Sequence, residues 1–287
     1  MAPGVRKLAA RQRDLLELWL PGATVRRDHS WGLVGTVVLE LDHDGARYIV
    51  KAGDVRDDHI AREFNAHREW LGPWTSQQRA PELVHGDVDA KLLVCRYLEG
   101  DLVQGCDHEW LPETYRQAGQ LLAQLHEQFS REDRQFEARH KKKALMWLDS
   151  PHRIAPDVES ALRKEVSSWP TPPVTVVPTH GDWQPRNWLV ADGLVSVIDF
   201  GRAELRPAFT DFARLEVQQF RRVPALEVAF VAGYGHDPRD PEAWHRNHVR
   251  EAIGTAAWAY EVGEMAFEQQ GHRMIAEALG HHHVGGE

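Results

Sequence analysis

Residues 180 to 187 read HGDWQPRN, and Asp199, Phe200 and Gly201 follow in the stretch VSVIDFGR, twelve residues after the asparagine. A carboxylate at Asp182 can receive the proton of an attacking hydroxyl. The side-chain oxygens of Asn187 and Asp199 are hard donors of the kind that hold Mg²⁺ against phosphates. Together the three groups supply what phosphoryl transfer from ATP asks of a protein. An aspartate by itself commonly does no more than cap a turn. The chain contains its own contrast: His85, Gly86 and Asp87 repeat the tripeptide, but Leu92 stands where the asparagine is needed, so that copy reads as a turn.

Such groups must be carried to one place by short, stiff elements. A loop joined to short strands can present Asp182 and Asn187 together; short strands follow it around Trp188 to Val190 and Val195 to Ile198, and Asp199 emerges from the end of the second. Upstream, residues 33 to 51 read as two strands about a turn at Asp42, His43, Asp44 and Gly45, ending on Lys51. Residues 58 to 71 carry Ile60, Phe64 and Leu71 among charges, which predicts a helix stopped by Gly72 and Pro73. Residues 80 to 98 read as two more strands, and Gly100 marks a boundary. Beyond it Ala118, Leu121, Leu122 and Leu125 form a helical stripe in residues 112 to 129. A second helical region runs to about residue 166, a Pro-rich connection spans Pro170 to Pro178, and helices resume from Phe209 to Leu279. The first helix, with Leu8, Leu15, Leu16 and Trp19 in helical spacing, ends at Pro21 and Gly22.

On the HGD loop with its asparagine and the later DFG, the chain resembles the aminoglycoside phosphotransferases and their choline-kinase-like relatives, antibiotic phosphotransferases of protein-kinase-like fold. The resemblance spans roughly residues 30 to 215. It implies an α+β, bilobal protein-kinase-like fold, with a small β-rich nucleotide-binding lobe over residues 1–99 and a larger helical catalytic and substrate-binding lobe over 100–287. It implies Asp182 as base, Asn187 and Asp199 as metal ligands, and ATP or GTP with Mg²⁺ as cofactors. Lys51 falls where such folds pair a lysine with the α- and β-phosphates. Glu63 sits where its partner carboxylate belongs, with Glu69 as competitor. The strand LLVCRYLEG becomes the hinge, where backbone near Arg96 and Leu98 meets adenine. His180 and Asp211 support the catalytic loop, Asp211 otherwise reading as a helix N-cap.

Departures from the family pattern are specific. SWGLVG at 30 to 35 offers Gly32 and Gly35 but no full glycine-rich loop. Gln184 stands where many kinase-like loops place a basic residue or His, which leaves Arg186, Arg202 or metal to neutralise the moving phosphoryl group. Phe200 replaces the tryptophan frequent in antibiotic kinases.

The bulk numbers set limits. A formal net charge of −9 lacks the positive field that accompanies nucleic-acid binding and favours a cationic partner. Two cysteines, Cys95 and Cys106, make no disulfide framework. No apolar run spans a bilayer, and the expected location is the cytoplasm. His281 to His283 read as a tail and the lysines at 141 to 143 as a solvated face.

The acceptor is expected to be a cationic small molecule, an aminoglycoside or a viomycin- or capreomycin-type peptide. Residues 203 to 287 hold 13 acidic against 8 basic side chains. Glu261, Glu264 and Glu268 are spaced to share one helical face, with Trp258 and Tyr260 nearby for cation–π contact. A metabolite kinase acting on choline, a sugar or homoserine is the alternative with the same chemistry. A kinase-like regulatory or binding protein is the alternative from another class.

Overall fold

The computed structural model describes residues 4–30 and 35–280. Gly32 and His281 to His283 lie outside the described residues. In chain order the elements are α1 (Ala10–Trp19), β1 (Thr24–Asp28), β2 (Val37–His43), β3 (Ala46–Ala52), α2 (His59–Glu69), α3 (Gly72–Thr75), β4 (Leu83–Asp87), β5 (Leu92–Arg96), β6 (Asp101–Leu102) and α4 (Pro112–His126). Then follow β7 (Arg131–Asp133), α5 (Phe136–Asp149), α6 (Pro156–Ser168), β8 (Val174–Thr179), β9 (Trp188–Ala191), β10 (Leu194–Val197) and β11 (Glu204–Arg206). The last are α7 (Ala213–Leu215), α8 (Pro224–Tyr234), α9 (Pro241–Val262) and α10 (Met265–Ala278). The class is α+β, with an antiparallel sheet in the N-terminal region and helices dominating the C-terminal region.

These elements form two compact units: Met1–Phe129 with Val177–Asp237, and Ser130–Val176 with Pro238–Glu287. In the first unit a five-stranded antiparallel sheet runs in the order β1-β2-β3-β5-β4. Alternation decides what each face carries. Leu39, Leu41, Val50, Leu92 and Val94 pack with Leu8 and Leu16 of the N-terminal segment. The intervening residues of β3 and β5 point the other way, toward α2, where Cys95 Sγ lies 3.6 Å from His67 Nε2. Lys51, one residue from Val50, is therefore on the α2 side. The hairpin turn falls on Asp44 and Gly45, with φ of 48° and 76°, the left-handed pair a tight two-residue turn requires.

Gly72 and Pro73 do more than stop α2. That helix has ended at Glu69, and the pair opens the short α3, where proline lacks only an N–H that the first turn would leave unbonded anyway. The repeated His85-Gly86-Asp87 is not itself a turn but the end of β4, paired with β5; the turn follows it, where Asp87 Oδ1 accepts the Ala90 N–H at 2.7 Å.

Below the sheet, β6, β9 and β10 form a three-stranded ribbon, and Val177–Thr179 pairs with β11. Helix α4 packs on α8 so closely that a Cβ at Gly119 would collide with the Phe230 carbonyl oxygen and come within 2.9 Å of the Tyr234 nitrogen. Neither backbone atom can yield cheaply. Gly119→Ala is expected to lower unfolding free energy by about 1–3 kcal/mol, the usual range for overpacking, read from the midpoint of a denaturant titration.

The second unit is mainly helical, with α5, α6, α9 and α10 around Leu148, Leu162, Val166, Val249, Ile253 and Ile275. Residues 174–176 pair with β7 there. Lys141, first of the three lysines, is not simply solvated, since its ammonium donates to the carbonyls of Ser167 and Trp169, both at 2.8 Å, at the end of α6. Among the described residues no helix is long and apolar enough to cross a membrane.

One expectation fails in this unit. Glu261, Glu264 and Glu268 do not share a helical face, because Gly263 adopts φ 78°, caps α9 and breaks the helix between the first glutamate and the other two. Glu261 is exposed, and Glu264 sits at the N-cap of α10. Glu268 is buried, with Arg153 at 3.6 Å and His272 at 3.8 Å. Trp258 is half exposed and meets Phe267 edge-on, while Tyr260 lies under the Arg153 guanidinium.

Candidate active site

Residues 180 to 187 form a loop between β8 and β9, and Asp199 follows β10. The Ile198 N–H donates to the Asn187 carbonyl at 2.9 Å, which brings the DFG segment against the end of the loop. Asp199 has φ 68°, a left-handed conformation that aspartate tolerates better than most residues and that needs surrounding structure to hold it. Gly181 has no such latitude. Its φ is +79°, and a Cβ there would strike the Arg202 carbonyl.

The loop is anchored from beneath by Asp211. Its carboxylate accepts the His180 N–H at 2.8 Å and the Gly181 N–H at 2.7 Å. It also meets His126 Nε2 at 3.1 Å, and His126 Nδ1 lies 2.8 Å from the Tyr234 hydroxyl. A carboxylate only accepts, so the His126 proton is on Nε2 and Tyr234 donates to Nδ1. The N-cap alternative for Asp211 is not what its side chain does. His180 accepts the Asp182 N–H on Nδ1 at 3.2 Å and donates from Nε2 to the Ile198 carbonyl at 3.0 Å, which fixes its tautomer and joins loop to DFG strand.

Burial works to raise the Asp211 carboxyl, but the His126 and Gly181 hydrogen bonds and the nearby His180 outweigh it and hold the group below its ordinary value. A carboxyl lowered on folding contributes stability above its unfolded pKa, and that increment disappears as pH falls through the folded value. Asp211→Asn turns one of the two acceptor oxygens into a donor facing a backbone N–H. It is expected to cost about 1–3 kcal/mol near neutral pH. The wild-type advantage should shrink below about pH 4, a difference that chemical denaturation at stepped pH will read.

Asp182 is 3% exposed, and its carboxylate is crowded with donors. Oδ1 receives Gln184 Nε2 at 2.5 Å and is ion-paired with Arg214, whose Nε lies 2.8 Å away. Oδ2 receives Arg186 Nη2 at 2.6 Å and Asn187 Nδ2 at 3.0 Å. Burial pulls the Asp182 carboxyl up, and the Arg214 and Arg186 guanidiniums more than reverse it, leaving the group below the usual carboxylate range. Asn187 Nδ2 also donates to the Asp182 carbonyl at 2.8 Å, which leaves the amide oxygen as the atom that could face a metal.

Lys51 completes the assembly. Its ammonium bonds both Glu63 oxygens, at 2.8 and 2.9 Å, and Asp199 Oδ1 at 2.9 Å. Burial disfavours the Lys51 charge, but the Asp199 and Glu63 carboxylates override it and hold the ammonium well above the ordinary lysine value. Lys51 in turn holds Asp199 strongly down. Glu69, the competitor, is exposed at the end of α2 and takes no part in this pair. Among the described residues no cluster of three or more His, Cys, Asp or Glu could hold a metal by itself. Asn187 and Asp199 could each contribute an oxygen to a Mg²⁺ ion whose remaining ligands are phosphate oxygens.

The hinge expectation needs correction at one residue. The Arg96 N–H donates to the Glu82 carbonyl at 2.8 Å, and the next amide, Tyr97, to the Arg47 carbonyl at 3.0 Å, so neither is free for adenine. Among the described residues the Leu98 amide has no hydrogen-bond partner. The acidic and aromatic residues of α9 and α10 belong to the second unit.

Sequence reasoning passed over Arg214, His126, Tyr234 and His67. Arg214 follows Asp211 by three places in TDFARL, yet no spacing rule links it to an aspartate on a distant loop. His67 lies one helical turn beyond Glu63 and meets Phe200 edge-on with ring centroids 5.7 Å apart, behind the DFG segment. Burial, reinforced by Lys51, lowers its imidazole to about 4, so it packs there as a neutral ring.

The comparisons with known proteins agree with this geometry. No match is found among curated proteins. Solved structures of similar fold include macrolide 2'-phosphotransferase MphH from Brachybacterium faecium, at 17% identity over 98% of this chain and 99% of that one, TM-score 0.60. Choline kinase LicA from Streptococcus pneumoniae aligns at 15% identity over 93% and 98%, TM-score 0.65. Aminoglycoside phosphotransferase APH(4)-Ia aligns at 14% over the whole of both chains, TM-score 0.69, and a thermostable mutant of it has been solved with ADP and hygromycin B. Identities this low establish the fold alone. The profile of the phosphotransferase enzyme family, however, matches residues 36–246, which include Lys51, the catalytic-loop motif and the DFG. On that match the chain belongs to the phosphotransferase enzyme family, kinase-fold enzymes that act on small molecules.

Proposed function

We propose that this chain transfers the γ-phosphoryl group of ATP, with Mg²⁺, to a hydroxyl of a cationic small molecule of the antibiotic type. The observation that carries the reading is Lys51, held between Glu63 and Asp199 at 2.8 to 2.9 Å, in the same unit as the buried Asp182. Lys51 would bind the α- and β-phosphates and the Leu98 backbone would meet the adenine edge. Asn187 and Asp199 would hold Mg²⁺, which when bound supplies charge neutralisation at the phosphates. Residues 1–99 would serve the nucleotide and 100–287 catalysis and the acceptor.

Asp182 orients the acceptor hydroxyl and takes its proton as the oxygen attacks phosphorus. Its burial keeps water from competing, and Asn187 and Gln184 hold its plane. A cationic acceptor is supported by the acidic balance of the chain. The free thiols of Cys95 and Cys106 suit a cytoplasmic setting.

A test combines MgATP or MgGTP with hygromycin B, other aminoglycosides, capreomycin, a macrolide, choline and homoserine. Nucleoside diphosphate release and a product heavier by one phosphate are the readouts. Turnover of a cationic antibiotic is the expected result. Phosphorylation of choline or homoserine alone would replace it with the metabolite-kinase reading, which the choline kinase likeness favours. Nucleotide binding without transfer to anything would leave only a kinase-like binding protein.

A further inference from the structure

The loop from β3 to α2, residues 53–58, holds a carboxylate with two tasks. The first N–H groups of any helix lack partners within it. Asp58, at the N-cap of α2, serves none of them with its side chain. Asp57 does so instead: its Oδ1 accepts the His59 N–H at 3.0 Å and the Ile60 N–H at 2.9 Å. A cap needs only that one oxygen. The other, Oδ2, accepts the Thr36 hydroxyl at 3.0 Å, from a residue 21 places back in the chain. Thr36 immediately precedes β2 and stands two residues before Val38, which pairs with Lys51 on β3. One half-buried carboxylate therefore joins the helix that carries Glu63 to the strand that flanks Lys51.

The surroundings make this joint a fixed one. Lys91, in the turn from β4 to β5, donates from Nζ to the carbonyls of Val55 at 2.8 Å and Asp57 at 2.5 Å, and its own carbonyl accepts the Gly53 N–H at 2.9 Å. Two glycines mark how closely the chain is pressed together. A Cβ at Gly53 would come within 2.5 Å of Asp57 Cβ, and one at Gly35 would overlap the Asp54 carboxylate. The first turn of α2 also touches the DFG segment, since a Cβ at Gly201 would stand 3.1 Å from His59 Cβ. Asp57 thus caps the turn that lies against Gly201 and grips the residue that leads into β2. Its carboxylate partners are two amides and a hydroxyl, donors that fix an angle as well as a distance.

We propose that Asp57 is a positioning residue for the phosphoryl donor, holding the Lys51–Glu63 pair and the entry of β2 in one register so that the phosphates of ATP meet both. It touches no substrate. It acts through Thr36 on one side and through α2 and Glu63 on the other. The bond to Thr36 is the part that serves the nucleotide, whereas the bonds to His59 and Ile60 serve the helix. Without the Thr36 bond the two elements are free to drift apart, and a misplacement of about 1 Å near reacting groups costs up to about a hundredfold in rate. The inference rests on the ATP-dependent transfer proposed above.

The test titrates the full chain in a calorimeter with MgATP and, separately, with adenosine, for Thr36→Val, Thr36→Ser, Asp57→Ala and the double variant. Thr36→Val keeps the shape of the side chain and leaves the helix cap intact, so it carries the test even if Asp57→Ala does not fold. It is expected to weaken MgATP about tenfold, the effect of losing one hydrogen bond to a charged group. Adenosine, which has no phosphates to misplace, should lose less than about twofold. Thr36→Ser keeps the hydroxyl and should bind MgATP within about twofold of the wild type. In the double variant Thr36→Val should add less than about twofold to the loss from Asp57→Ala, because the two residues act through one bond. The proposal is overturned if Thr36→Val binds MgATP within about threefold of the wild type, if it weakens adenosine as much as MgATP, or if the two single losses multiply in the double variant. A wild-type chain that binds neither MgATP nor adenosine would remove the transfer reading and this inference with it. A wild type that binds MgATP, matched by Thr36→Val, would remove the inference alone.

Discussion

Asp182→Asn is expected to reduce turnover about a thousandfold while KM for ATP stays the same or falls slightly. General-base assistance contributes about 10²- to 10⁴-fold, and an amide at this position keeps the shape of the carboxylate but cannot take a proton. Nucleotide contacts lie with Lys51 and the metal ligands, so binding should survive. Removing one negative charge beside Arg186 and Arg214 makes the site more positive, which favours a phosphate-bearing ligand if it does anything. In the wild type the acid limb of kcat/KM should lie below the usual carboxylate range, because both guanidiniums hold the base ionised. Turnover of Asp182→Asn within tenfold of wild type, measured with saturating acceptor, would remove Asp182 from the role of base.

Asp199→Ala is expected to act earlier in the reaction, abolishing the Mg²⁺ dependence of nucleotide binding and lowering kcat/KM by at least about a thousandfold. A metal held through one or two protein carboxylates plus phosphates loses most of its protein anchorage when the charged ligand goes. Asp199 also neutralises Lys51, so the variant leaves Lys51 with Glu63 alone. That change should let Lys51 bind metal-free nucleotide as well as it binds the metal complex. Calorimetric titration of ATP with and without Mg²⁺ separates the two effects. A variant whose affinity still rises with Mg²⁺ as the wild type's does would show that Asp199 is not the metal ligand.

What could be read from the residues alone was what local spacing determines. The loop of HGDWQPRN, the DFG and the hairpin ending on Lys51 are short-range patterns, and period-2 alternation alone puts Lys51 opposite Val50 and toward α2. The Pro-rich stretch before the loop hid β8, since proline is rare in a strand interior. Pro178 is accommodated because only β11 pairs with that half of β8. The glutamates of α9 and α10 went wrong for the opposite reason. A three-and-four spacing was counted through Gly263, whose left-handed turn resets the helical phase. Arg214 could not be found at all, because an ion pair between a loop and a separate short helix is a property of tertiary packing and leaves no period in the sequence. Asp211 stood between these cases: its motif was visible, but whether it capped a helix or held a loop depended on His126 and Tyr234, which lie far from it in the chain.

The pairing of Lys51 with Glu63 has a consequence for how such an enzyme is governed. In many kinase-fold proteins that ion pair is made or broken to turn activity on and off. Here it is closed by two hydrogen bonds and flanked by the buried Ile60 and Ala66 of the same helix. Mixing enzyme, nucleotide and acceptor should give product without a lag, and its output in a cell would be set by how much of it is made.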